Sequence, residues 1–580
     1  MASSSPKYQY VRTAQGQKLI PIVDDPPMPG PPRDEEPPAD YNSGGYLPVK
    51  VADSFKDGRY TVIRKLGWGH FSTVWLVKDA QQKRHSALKV VKSAGRYTET
   101  ARDEIKLLRQ IAETSPSHPG RAHIVSFLDS FSHSSISNTH ICIIFEPLGE
   151  NLLSLIEKNR RKGVAPCIVK SIARQVLLGL QYLHEECDLV HTDIKPENIM
   201  MSIPDIESHI VAQLSTSVPP QAHKLPIPPN PRTRRISSIA THALTSQNRS
   251  VHIFESQPLP SPSGHHIHTR LFGPSSNNSS SSTISSLVDS HSSVGTAATT
   301  PATSLGSAMS KLKLSSPESP SQALPDQNTH VSGKVSAAAV PSGPSLLSQT
   351  APHRRSTSRS SKRLSTSPAS SSSTSGSDCS LPESMATSVS SDVPSSFLPI
   401  SIKIADMGNA TPSKRHYTED IQTRQYRSPE AIIGRSDWGC KVDIWSVACV
   451  IFELLTAEYL FEPQAQGQIF SKDDDHMAQI IELLGDLPPE AKQGGRYSRE
   501  LFDHTGALRY IRHLKPWPLN RVMREKYLLP AADAEALCSF LEPMLALDMH
   551  QRASAGEMIS HPWLDVDWKE EGEALQSVVW

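Results

Sequence analysis

Apolar residues fall into regular patterns in two stretches of this chain and lose that regularity between them. Tyr60-Thr61-Val62-Ile63 has the composition of a strand, and a second strand ends in Ala87-Leu88-Lys89-Val90-Val91. Thr100 to Leu108 reads as helical. Ile141-Cys142-Ile143-Ile144-Phe145 is an unbroken apolar run of strand length and predicts a buried strand. Ile168, Ile172, Val176, Leu180 and Leu183 recur at helical spacing, so a core helix is expected from Ile168 to His184. Order returns with a strand at Ile402-Lys403-Ile404-Ala405. A core helix opens at Asp443-Ile444-Trp445-Ser446, and the last helices run through Leu541, Met544, Leu545 and Leu547 to His561-Pro562-Trp563-Leu564.

Two segments carry no such period. Residues 1 to about 45 are rich in Pro, Ser and mixed charge, with Pro26-Pro27 and Pro31-Pro32 interrupting any pattern. From about 202 to 397 the chain is dominated by Ser, Thr, Pro and small residues, in runs such as Ser370-Ser371-Ser372-Ser373. Neither segment has enough apolar surface to offset its ordering entropy. The first is expected to be a flexible tail. The second is expected to be a disordered insert, since a structureless loop of that length does not belong inside a compact domain. Its basic clusters, Arg232-Thr233-Arg234-Arg235 and His353 to Lys362-Arg363, suit localisation signals, phosphorylation sites or plain solvated charge.

At 580 residues the chain exceeds one ordinary domain. Lys+Arg and Asp+Glu both number 59, so nothing draws the whole molecule toward nucleic acid or an anionic membrane, and any electrostatic recognition must be local. The seven cysteines (Cys142, Cys167, Cys187, Cys379, Cys440, Cys449, Cys538) are scattered without a C-x-x-C pair. With no recognisable signal peptide they are expected to be reduced thiols of a cytosolic or nuclear protein. The apolar run from Val447 to Leu455 is short and contains Glu453, which rules it out as a membrane span.

The chemistry gathers around His191-Thr192-Asp193-Ile194-Lys195-Pro196-Glu197-Asn198. Moving a phosphoryl group onto a hydroxyl needs a carboxylate to accept the proton, a cation near the γ-phosphate and oxygen ligands for magnesium. Asp193, Lys195 and Asn198 offer these in order, with Pro196 stiffening the turn. As turn or capping residues, Asp193 and Asn198 would leave the rest of the motif unexplained. Upstream, Leu66-Gly67-Trp68-Gly69-His70-Phe71-Ser72-Thr73-Val74 allows a tight hairpin whose backbone can approach phosphates, with Ser72 where a third glycine would stand. Lys89, otherwise a snorkelling strand residue, lies at the right distance to reach the α- and β-phosphates. Glu104 is its expected ion-pair partner; Asp103 is the rival, and helix phase favours Glu104. Phe145 leads into Glu146-Pro147-Leu148-Gly149, which resembles the hinge between the two lobes of a protein kinase, and that resemblance implies that the backbone at Glu146 and Leu148 bonds an adenine edge. Asp406-Met407-Gly408 would place Asp406 on magnesium. Ser428-Pro429-Glu430 resembles the A-P-E end of a protein-kinase activation segment, and that resemblance implies a Glu430–Arg552 pair and an Asp443 bonded to the backbone of the Asp193 loop.

In this order the components resemble a eukaryotic protein kinase over about residues 58 to 200 and 400 to 566. The resemblance is closest to the SR-protein-specific kinases. It is carried by Arg64 to Leu76, Lys89-Val90-Val91-Lys92-Ser93, His191 to Asn198, Ile404-Ala405-Asp406, Gly408-Asn409-Ala410, Thr418 to Ser428 and His513-Leu514-Lys515-Pro516-Trp517. Met407 stands where that family usually has Leu, and the surroundings of Glu430 differ, which leaves fine specificity open. The resemblance implies an α+β, two-lobed kinase fold. Residues 46–147 would form the small lobe, 148–201 and 398–566 the large lobe, 202–397 a disordered spacer, and 567–580 a tail. The implied ATP site comprises Leu66 to Val74, Ala87, Lys89, Glu104, Glu146 and Leu148. Catalysis would fall to Asp193 and Lys195, metal binding to Asn198 and Asp406, and structural roles to Glu430, Asp443 and Arg552.

The expected activity is ATP- and Mg2+-dependent phosphorylation of serines in Arg-Ser-rich proteins such as SR splicing factors. A monomer is expected, cytoplasmic and nuclear, with no direct nucleic-acid or membrane contact. Thr192 replaces the arginine that commonly pairs with a phosphorylated activation loop, so activity without that phosphate is expected. Glu458, Asp473-Asp474-Asp475 and Glu482 are acidic; Asp475 and Glu482 lie two helical turns apart on one face. The resemblance implies a groove in which Glu458, Asp475 and Glu482, with Lys515 at the edge, dock Arg-Ser segments. Ser358-Arg359-Ser360 within the insert is a short piece of similar sequence. Two other readings stay open: a kinase of a dual-specificity or Pro-directed group, and a catalytically silent scaffold for Arg-Ser proteins.

Overall fold

A computed structural model describes residues 8–13, 16–21, 35–135, 138–228, 249–261, 400–566 and 574. The two basic clusters, Ser358-Arg359-Ser360 and all of 567–580 except Ala574 lie outside the described residues. Strands β1 (Tyr8–Thr13) and β2 (Gly16–Pro21) pair antiparallel, Tyr8 opposite Pro21. The small-lobe sheet follows: β3 (Ser54–Phe55), β4 (Tyr60–Gly69), β5 (Ser72–Asp79) and β6 (Arg84–Val91). Helix α1 (Gly95–Glu113) comes next, then β7 (Phe127–Ser134) and β8 (Thr139–Phe145). The six strands run antiparallel in the order β3-β4-β5-β6-β8-β7. Because side chains alternate, Val62, Trp75, Leu88 and Val90 form one face with Leu47, Val49 and Phe55. Lys89 points to the other. Helix α1 packs through Ala101, Ile105, Leu108 and Ile111, a stripe at three- and four-residue spacing.

The large lobe is built in two pieces. The first holds α2 (Leu152–Lys158), α3 (Pro166–Gln181), β9 (Leu189–Val190) and β10 (Ile199–Ser202). As the spacing predicts, Ile168, Ile172, Val176 and Leu180 are the buried stripe of α3. The chain then gives α4 (Ile206–Thr216), β11 (Ala222–Pro226) and β12 (Ser250–Phe254). The second piece opens with β13 (Ser401–Ile404) and β14 (Thr411–Pro412). Strand β10 pairs with β13, Ile199 opposite Ile404, and β9 pairs with β14. Those two ladders rejoin what the insert separates. Helices α5 (Pro429–Ile433), α6 (Lys441–Thr456), α7 (Lys472–Leu484), α8 (Leu519–Glu525), α9 (Ala531–Met544) and α10 (Ala555–Ile559) complete the lobe. Every residue of α6 from Val442 to Leu454 is buried, which makes it the lobe's central helix. Among the described residues no helix is long and apolar enough to cross a membrane.

Two expectations need correction. Residues 35–46 are not a flexible tail, and the insert is ordered over 202–228 and 249–261. Tyr41 and Tyr46 are buried against Leu225, Val251 and Ile253 of the β11–β12 hairpin. Helix α4 sets Ile206, Ile210 and Leu214 against Ile63, Leu66, Leu76 and Ile203, with Leu259 beside them. Glu207 of α4 accepts from the His85 backbone N–H at 2.7 Å. Beneath them the Lys65 ammonium is wholly buried, bonded to Glu35, Glu36 and the Phe254 carbonyl. Tyr41 donates to Glu36 at 2.5 Å and the Ser256 backbone N–H to Glu35 at 2.5 Å. Each segment is too poor in apolar residues to order itself, so neither shows a period. They order by covering one another and the sheet.

Candidate active site

The glycine hairpin is the simplest part. Gly69 faces Ser72 across the end of β4 and β5, leaving His70 and Phe71 as its tip. A Cβ added at Gly67 or Gly69 would meet nothing within 4 Å, so no protein contact requires glycine there. The bare backbone faces open space, which suits a ligand that must come close. Below it, Lys89 Nζ lies 2.7 Å from Glu104 Oε1 and 3.5 Å from Asp406 Oδ1. Burial alone would depress the Lys89 ammonium; Glu104 and Asp406 outweigh it and hold the pKa above its ordinary value. Burial would likewise raise Asp406, but Lys89 prevails and keeps its carboxyl below the usual range. Glu104, not Asp103, is thus the partner; Asp103 pairs with Lys106 on the exposed side.

At the hinge the Glu146 N–H donates to the Ser126 carbonyl at 3.1 Å, so what Glu146 offers a ligand is its carbonyl. Its carboxylate accepts from Ser126 N at 2.7 Å and pairs with Lys403 at 2.8 Å. Lys403 sits on β13, three residues before Asp406. This contact ties the hinge to the D-x-G strand, and the sequence reading had given Lys403 no role.

The catalytic loop is fixed from below by Asp443 at the start of α6. Its Oδ2 accepts from His191 N at 2.8 Å and its Oδ1 from Thr192 N at 2.9 Å. His191 Nδ1 accepts from Asp193 N at 3.2 Å, so the ring proton belongs on Nε2, which lies 3.0 Å from the Ala405 carbonyl. Asp193 then stands in a closed set of contacts. Its Oδ2 accepts from Lys195 Nζ at 2.8 Å and its Oδ1 from Thr423 Oγ1 at 2.7 Å, while Lys195 and Thr423 are 3.1 Å apart. Asn198 Nδ2 donates to the Asp193 carbonyl at 2.9 Å. With its nitrogen committed, the amide oxygen of Asn198 is the atom left for a cation. Thr423 was legible only as part of a resembling stretch.

Thr192 adopts φ 67°, a left-handed conformation that is costly for a β-branched residue. Its hydroxyl donates to the Asn409 carbonyl at 2.8 Å and its carbonyl accepts from Gln422 N at 2.9 Å. Gln422 Nε2 donates to the Val442 carbonyl and to Ser446 Oγ, each at 2.8 Å, and its Oε1 accepts from Ser428 N at 3.0 Å. Neutral groups thus tie the catalytic loop and α6 to the activation segment, and Arg424 adds an ion pair to Asp473 of α7. Beyond it, Arg552 grips Glu430 with two nitrogens at 2.6 and 2.9 Å, both side chains buried. Tyr426 donates to Glu453 at 2.6 Å. Burial and the nearby Glu197 charge push the Glu453 carboxyl up to about 7, against the lowering effect of that hydrogen bond.

The docking set does not form an open acidic face. Asp475 and Glu482 share a face of α7, but it is the inner one, each only 1% exposed. Asp475 accepts from Gln464 N at 2.9 Å and from Gln479 at 2.8 Å; Glu482 accepts from Lys515 N at 2.9 Å. Periodicity shows that two residues share a face, not which way it points. Glu458 and Lys515 are exposed, and Glu458 is bonded to Lys526 at 2.7 Å.

Comparison with known proteins shows the family to which the chain is similar. A family model described as the protein kinase domain matches residues 60–211 and 394–564, on either side of the insert. Serine/threonine-protein kinase SKY1 of Saccharomyces cerevisiae is 38% identical over 92% of this chain and 78% of its own length. Protein kinase dsk1 of Schizosaccharomyces pombe is 40% identical, covering 91% and 85%. SRSF protein kinase 3 of Homo sapiens is 40% identical, covering 92% and 90%.

Proposed function

We propose a function from the premise that this chain belongs to the protein kinase family, in the branch of the SR-protein-specific kinases. It is a serine/threonine-protein kinase. Its proposed reaction transfers the γ-phosphate of ATP to serines of Arg-Ser-rich proteins. The observation that carries the chemistry is the Asp193 carboxylate, held by Lys195, Thr423 and the Asn198 amide beside Lys89 and Asp406. Kinases of this family generally use ATP and a divalent metal. The residues fit magnesium: Asp406 is kept ionised, and Asn198 presents an amide oxygen. Among the described residues no group of three His, Cys, Asp or Glu could form a protein-only metal cage. When bound, the magnesium nucleotide supplies the phosphoryl group and offsets its charge.

The protein's own part is positioning and proton handling. Asp193 accepts the proton of the incoming serine hydroxyl. Lys195 stands where charge develops on the moving phosphoryl group, and Thr423 keeps both in register. Lys89, locked to Glu104, presents a fixed ammonium to the phosphates. For substrate choice, Glu197 supplies a carboxyl group within the catalytic loop itself.

The test is phosphate transfer from Mg-ATP to an Arg-Ser repeat peptide and to its Lys-Ser counterpart, with Asp193→Asn as control. Labelling of the Arg peptide alone, lost in the variant, is the expected result. Equal labelling of both peptides would remove the Arg-Ser assignment and leave the kinase; labelling that survives Asp193→Asn would overturn the catalytic assignment.

A further inference from the structure

We propose that Tyr46, ahead of the first long strand, is a positioning residue for the nucleotide loop. Its hydroxyl sets the orientation of the Gly69–His70 peptide. Tyr46 is 3% exposed, and its Oη donates to the Gly69 carbonyl at 2.7 Å. A trans peptide points its C=O and N–H in opposite directions. Fixing the carbonyl on the Tyr46 side therefore sends the His70 N–H away from that segment. Leu47 and Val49, which follow Tyr46, pack with Trp75, Leu88 and Val90 on the outer face of the sheet. Lys89, out of phase with Leu88 and Val90, meets Glu104 and Asp406 on the opposite face. The His70 N–H is thus directed to the face where phosphates would lie.

The loop needs such a fixture. Glycine does little to restrain its own peptide planes, and Gly69 has no protein atom near the position of a Cβ. Tyr46 is itself held firmly. Lys92 Nζ sits 4.1 Å from its ring centroid and bonds Asp40 at 2.8 Å, and the Asp40 carbonyl accepts from Tyr46 N at 2.8 Å. Ser93 N and Ala94 N donate to the Gly45 and Gly44 carbonyls at 3.1 and 2.9 Å. No side chain fits at Gly45, where a Cβ would stand 1.7 Å from the Asp40 carbonyl oxygen. The tip is held at its far side as well, with the Phe71 ring 5.4 Å from that of Tyr97 on α1.

This rests on the glycine hairpin being the phosphate loop. The experiment compares the full chain with Tyr46→Phe, which removes only the hydroxyl. Hydrogen exchange at the Lys92 amide, which donates to the Phe71 carbonyl of the tip at 2.9 Å, measured without nucleotide, should quicken roughly three- to tenfold. Amides of Trp75 to Val77 should not change. Mg-ADP affinity measured by calorimetry should weaken by a similar factor. Unchanged exchange at Lys92 would overturn the proposal, as would faster exchange with unaltered affinity. A wild type that binds no Mg-ADP would overturn the nucleotide reading instead, and the exchange comparison, which uses no nucleotide, tells the two failures apart.

Discussion

Glu453 shows how much one side chain can set. Its carboxyl ordinarily titrates at 4.5 and here at about 7. Between those values the folded protein keeps a proton that the unfolded chain has lost. Stability therefore falls as pH rises through that window and levels off above it, by up to roughly 3 kcal/mol. Glu453→Gln should abolish that slope and melt above the wild type at pH 8; parallel pH profiles of melting temperature would contradict the assignment. Such a residue was not legible beforehand, because Glu453 looks in sequence like a lone charge that spoils an apolar run. Asp193, Lys195 and Asn198 were legible, since one short loop carries all three. Thr423 and Tyr46 were not, because each acquires its role only by touching a residue distant in sequence. Asp475 and Glu482 share the helix face expected of them, but that face turns inward, since a shared helix face has no sign until something packs on it.

Among the elements, the activation segment is the one whose behaviour follows from its bonds. Thr192 and Gln422 anchor it with neutral hydrogen bonds where a charged pair to a phosphate is the common device. Phosphatase-treated enzyme should keep its kcat within about twofold. Gln422→Ala would leave Ser428 N unmatched in a buried site, at about 1–3 kcal/mol, and should lower kcat about tenfold or more. Recovery of that variant on phosphorylation would argue against a purely neutral anchor. In α7, Glu482→Ala should loosen the Lys515 backbone and lower stability by about 1–3 kcal/mol, read from denaturant midpoints, while Glu458→Ala at the surface should change little. Strands β4, β6, β8 and β13 were readable from local composition and apolar runs and helix α3 from its period, because each buries one face or both against a large core. Helix α4 and the β11–β12 hairpin were not, since their partners lie in a different part of the chain.

For the whole molecule, the insert divides into a part that packs and a remainder outside the described residues. Replacing 262–399 with a short Gly/Ser linker should leave the melting temperature nearly unchanged. Extending the cut to 202–399 would strip Ile63, Leu66 and Leu76 of α4 and Lys65 of its Phe254 carbonyl, and should cost several degrees. Equal melting of the two deletions would show that the packed ends contribute nothing. The β10–β13 pairing has a further consequence, in time. The two strands of this ladder, Ile199–Ser202 and Ser401–Ile404, are about 200 residues apart, and a ribosome adding 5–20 residues per second needs about 10–40 s to cover that interval. For that period the nascent chain holds its proton acceptor but not Asp406, and the apolar edge of β10 waits without its partner. Translation itself therefore delays the birth of activity, and the half-made lobe is a natural client for chaperones.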